Sequence, residues 1–202
     1  MKILGLILVA LLLPTPAHAE VRYEGLTPEQ VQVLEGAQAK TRFDYDLIGQ
    51  DITVTVADIP DQGWSYPDGH MVLDDSLWEG EWHRGWRKRR PGEVCPMQVF
   101  THEMGHMIEY LYLTDDELDT IARATGYSGW PEMSEAHTWP SFYMAACTSL
   151  SLKLHPGSRA RRPTEEELRV VRSVVGCAAP ETSRNPLDNS RLPEDGNSPK
   201  PS

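Results

Sequence analysis

Five consecutive residues, His102-Glu103-Met104-Gly105-His106, bring together the side chains of hydrolytic metal chemistry at a usable spacing. On a helix, positions i and i+4 share a face, so two imidazoles four apart can reach one ion while the intervening carboxylate stands beside it. Two imidazole nitrogens at about 2.0–2.1 Å make half of a tetrahedral zinc shell. Glu103 is then placed to take a proton from a water at the open position. The pattern therefore predicts hydrolysis of a peptide bond, with one zinc ion as cofactor.

A third protein ligand has to come from elsewhere in the chain. A glycine three and a histidine six residues beyond His106 would supply one, but those positions hold Glu109 and Tyr112. Downstream, Glu132, Glu135 and His137 are the candidates, and Glu135 is preferred because a carboxylate after two histidines is a recurrent zinc set. Asp115, Asp116, Glu117 and Asp119 lie closer but read as charges at the start of a helix, where the helix dipole favours them.

The elements that position these groups are legible in part. Pro96 precedes a helix expected over about Met97 to Leu113, with Val99, Phe100, Met107, Ile108 and Leu111 facing the core. Gly105 costs that helix roughly 1 kcal/mol against alanine, which suggests that a neighbour approaches closely there. Upstream, Thr27-Pro28-Glu29-Gln30 is a capping box that opens a helix to about Lys40. Residues 51–58 alternate polar and β-branched apolar types as a strand does, and His70 to Asp74 reads as a second short strand. That second strand could pair with an extended peptide if it lies at a sheet edge, while a surface role is expected for His70 itself. Trp78, Trp82 and Trp86 recur every four residues, as a buried helical stripe would, and the basic run Arg87 to Arg90 reads as a solvated face. Thr114 to Glu117 opens a helix that Gly126 ends, and a loop follows over Tyr127 to Pro131. From Pro131 or Ser134 a helix runs to about Leu152, kinked or broken at Pro140, and Thr164 to Glu167 opens a last one that Gly176 stops. The expected fold is α+β: a small sheet before the two-histidine helix and a mainly helical C-terminal half.

The run His102 to His106, followed by Thr125-Gly126-Tyr127-Ser128 and Ser134-Glu135-Ala136, resembles the gluzincin branch of the zincin metallopeptidases. The likeness is closest to the catalytic domain of anthrax lethal factor and its relatives, and it covers about 45 residues. It implies a zincin-like domain with His102, His106 and Glu135 as metal ligands, Glu103 as general base, and Tyr127 as the group that steadies the oxyanion. His137 or Tyr143 would take that last role failing Tyr127. Where relatives carry a second acidic residue one turn after the glutamate, this chain has Trp139.

Composition sets the surroundings of that chemistry. Lys2, the apolar run Ile3 to Leu13 and Ala17-His18-Ala19 read as a signal peptide over residues 1–19, too short to span a bilayer. No cysteine marks a lipid-anchored cleavage point, so the expectation is an exported protein, periplasmic or secreted, without a stable membrane anchor. Residues 20–179 suffice for one domain, and the polar stretch 180–202 reads as a disordered tail. A net charge of −11 disfavours nucleic acid as a partner, and the partner expected from the motif is a protein or peptide substrate. Cys95, Cys147 and Cys177 allow one disulfide and one leftover thiol, with all three pairings open. The leading expectation is thus an exported zinc endopeptidase. A catalytically silent binding module on the same fold and a metal-dependent amidase acting on cell-wall peptides are the alternatives.

Overall fold

The computed structural model of the protein describes residues 19–78, 95–150 and 162–178. The expected signal peptide up to His18, Trp82, Trp86, the basic run and the polar tail from residue 180 lie outside those residues. Within them the architecture is α+β. A four-stranded sheet comes first, built from β1 (Val21–Tyr23), β2 (Ile52–Ala57), β3 (Gly63–Ser65) and β4 (His70–Asp74), with α1 (Pro28–Gln38) between its first two strands. The helices α2 (Pro96–Leu111), α3 (Asp115–Ala124), α4 (Trp130–Glu135), α5 (Trp139–Cys147) and α6 (Glu165–Val175) follow.

The strand order is β1-β2-β4-β3, with β1, β2 and β4 mutually parallel and β3 antiparallel to β4. Alternation decides which face of β2 is buried: Ile52 and Val54 are covered, while Thr53 and Thr55 are partly exposed. Thr55 turns its hydroxyl to the His70 ring, at 2.9 Å from Nε2, and Tyr66 stacks on the same ring, so His70 is half-buried between them. The strand His70 to Asp74 is not an edge. It is paired on both sides, by β2 and by β3, and the edge nearest the following helix is β3 instead.

Helix starts fall where sequence chemistry demands. Thr27, Thr114 and Thr164 each cap a helix reciprocally with Gln30, Glu117 and Glu167, which satisfies backbone donors that a bare helix end leaves unpaired. α2 starts at Pro96 without a side-chain cap and is held by burial instead. Phe100, Met104, Met107 and Ile108 are fully covered, and each such side chain contributes about 1.5–3 kcal/mol. Packed between α1 and α5 and against β3, α2 is the hub of the domain.

α5 crosses α2 at Gly105. A β-carbon there would sit 3.1 Å from Pro140 Cα and 3.2 Å from the Tyr143 ring, so the close neighbour that the glycine implied is α5. The Trp139 indole N–H donates to the Gly105 carbonyl at 2.8 Å and pins the crossing. Gly105→Ala should therefore be net destabilising by about 1 kcal/mol, since overpacking outweighs the gain in helix propensity; urea unfolding of the two proteins measures it. Pro140 occupies the first turn of α5, where its missing N–H costs nothing, and the break between α4 and α5 falls upstream, at Ala136 to Thr138.

Cys147 and Cys177 form a disulfide between the ends of α5 and α6, and Cys95 is a buried free thiol. Bridging cysteines 30 residues apart constrains the unfolded chain by about 3.5 kcal/mol on the chain-entropy account. Arg42 braces the same junction by donating to the carbonyls of Ala146 and Ala178. Trp78 lies in a 3-10 turn over Asp75–Trp78, half-buried against the core.

Candidate metal and hydrolytic site

Two turns into α2, its buried face gives way to a partly open one, and His102 and His106 stand on that boundary. The third imidazole to join them is His137, from the junction of α4 and α5. The three ring centroids form a nearly equilateral triangle, with sides of 5.3, 4.9 and 5.0 Å. One nitrogen from each ring lies within 4.8 Å of the others, and the Nε2 atoms of His102 and His137 are 2.9 Å apart. Two nitrogens bound tetrahedrally to zinc would be about 3.3 Å apart, so a small opening of that pair admits the ion. His106 has Nδ1 engaged by the Glu109 carboxylate at 2.9 Å, which leaves Nε2 as its donor toward the centre. The donor set thus fits zinc: three imidazoles, one of them oriented by a carboxylate behind it.

The backbone at His137 is built to present this ring. α4 ends in a Schellman motif, in which Thr138 N–H reaches Met133 O and His137 N–H reaches Ser134 O. The residue at the turn takes φ of 50°, the left-handed region that glycine normally fills. His137 is the only non-glycine residue with positive φ among those described, and such outliers concentrate at functional sites.

The other candidates are placed elsewhere. Glu135 is exposed on the last turn of α4 and stands outside the imidazole group. Glu132 reaches back to accept from the N–H and hydroxyl of Ser128 at 2.7 and 2.8 Å, and these bonds hold its carboxyl below the usual range. Tyr127 is half-buried on the loop into α4, its ring against the core. Tyr143 is fully buried, its hydroxyl 3.2 Å from that of Thr41, which removes it as an oxyanion group. Asp119, expected as a solvent-facing charge, accepts from Trp130 N–H and so anchors the start of α4 to α3.

Glu103 projects from α2 toward β3 and is 6 % exposed. Burial pushes its carboxyl above the usual carboxylate range, opposed by neighbouring His106 and by a hydrogen bond from Ser65. Sequence reasoning passed over three residues of this neighbourhood. Glu109 had a detectable signal, an acidic group one turn after a histidine. Gly63 is of a residue type that favours turns and gave no sign of a strand, and Ser65 had no signal at all, because its contact depends on how a three-residue strand meets α2. Tyr110, exposed and stacked on the His106 ring, is a further aromatic beside the imidazoles. Comparison with protein-family models, curated proteins and solved structures finds no significant match to this chain.

Proposed function

We propose that the protein is a zinc-dependent peptide hydrolase on a zincin-like fold, with His102, His106 and His137 holding the metal and Glu103 as general base. The observation that carries the reading is the convergence of three imidazoles, two from α2 and one from the α4–α5 junction, with the buried Glu103 carboxylate on the same α2. With His137 in place of Glu135, the ligand set departs from the gluzincin pattern that the motif resembles. Zinc bound there would polarise a peptide carbonyl and lower the pKa of water at the open position.

The chain's own groups supply the rest. Glu103, buried where α2 meets β3, is the carboxylate placed to accept a proton beside the imidazoles. It takes a proton from the attacking water as the oxygen bonds to the carbonyl carbon, then gives that proton to the departing nitrogen as the C–N bond breaks. Glu109 holds the His106 ring in a fixed orientation and tautomer. Tyr127 is the resemblance's assignment for the oxyanion, and β3, the edge strand beside α2, is where an extended peptide would align. Export, as the N-terminal residues suggest, would place this activity in the periplasm or outside the cell.

The test is metal analysis joined to a hydrolysis assay on an unfolded protein. About one zinc per chain is expected, hydrolysis should vanish with a chelator, and it should return on adding zinc. A purified folded chain that takes up no zinc with all three histidines intact would overturn the proposal.

A further inference from the structure

The edge strand β3 meets α2 through two residues of one face. Side chains two apart on a strand point the same way, so Gly63 and Ser65 both address Glu103, while Trp64 between them turns away to donate to Asp61. The Ser65 hydroxyl lies 2.7 Å from Glu103 Oε2 and 3.1 Å from the Glu103 carbonyl oxygen. At Gly63 a β-carbon would fall 2.8 Å from Glu103 Cγ and 3.0 Å from both Cδ and Oε1. The backbone of Gly63 is outside the left-handed region, so its conformation does not call for glycine. What the site uses is the missing side chain. The carboxylate lies over a bare α-carbon, with one oxygen tied to a hydroxyl and the other, Oε1, without a hydrogen bond among the described residues.

We propose that Gly63 and Ser65 are positioning residues for Glu103: Ser65 fixes Oε2, Gly63 makes room for the carboxylate, and Oε1 is thereby the oxygen that exchanges protons. The inference rests on Glu103 acting as the base. It makes β3 more than a rim of the sheet, because the strand sets the direction in which the carboxylate faces. The same hydroxyl reaches the α2 backbone, so strand and helix cannot slide apart without releasing the base.

The experiment uses the full zinc-loaded chain and three variants, Ser65→Ala, Ser65→Thr and Gly63→Ala. Ser65→Ala is expected to keep its zinc and its KM and to lose kcat by about 10–100-fold, the range for outer partners at metal sites. Ser65→Thr, which retains the hydroxyl, should recover kcat to within a few fold. Gly63→Ala should lose kcat with zinc retained, since the added methyl displaces the carboxylate. A second readout needs no turnover: the carbon-13 resonance of the Glu103 carboxyl in metal-free protein, assigned by its absence in Glu103→Gln. It should move in Ser65→Ala and stay in Ser65→Thr. An unmoved resonance together with unchanged kcat in Ser65→Ala would overturn the proposal, as would a kcat loss that Ser65→Thr does not repair. If the wild-type chain binds zinc without hydrolysing anything and the resonance still moves, the contact stands and Glu103 as base fails.

Discussion

Replacing His137 with glycine is expected to give a protein that resists unfolding better without metal and yet fails to hold zinc. The two effects have separate causes. A left-handed backbone costs a residue with a β-carbon about 1–2 kcal/mol, and glycine removes that cost while adding freedom to the unfolded chain. The net gain for the metal-free protein is about 0.5–1 kcal/mol, read from denaturant unfolding. The loss concerns the ion: taking one of three imidazoles should weaken zinc binding by more than the ~10–100-fold that follows loss of an outer partner. Glu135→Ala and Glu132→Ala should leave zinc content unchanged, because the first is exposed outside the imidazole group and the second caps Ser128. If Glu135→Ala empties the site and His137→Gly does not, the ligand set is the one that the motif's resemblance implied.

Glu103→Gln is expected to retain zinc and to lower kcat by on the order of 10³, within the usual range for removing a general base. Glutamine keeps the volume and can still accept from Ser65, so packing against Gly63 and β3 should survive. What it cannot do is take a proton. Zinc content measured on the same sample separates lost chemistry from a lost site. A variant that hydrolyses peptide as fast as the wild type would remove Glu103 from the role of general base.

Much of the frame around these residues was legible because local chemistry decides it. Three threonine capping boxes marked the starts of α1, α3 and α6, and β-branched alternation marked β2. β1 and β3 were not visible: each is three residues long, too short for a periodic signal, and exists because a neighbour pairs with it. The break near Pro140 was foreseen, but its place was not, since proline is comfortable in the first turn of α5 and the chain turns at His137 instead. The same turn explains the third imidazole. Glu132, Glu135 and His137 lie within six positions, and only the handedness of one backbone residue, together with the α5 crossing at Gly105, determines which of them faces α2.

That crossing also bears on how the chain folds. His102 and His137 are 35 residues apart, and in the unfolded chain nothing keeps them together. An ion shared between them would close a loop as a covalent staple does, resisting unfolding in proportion to the logarithm of its concentration. The Trp139 indole on the Gly105 carbonyl fixes α5 against α2 and so holds the two ends of that loop in register. Metal uptake should therefore report on a docked α5, and a chain with that crossing loosened should take up the ion slowly while its helices remain formed.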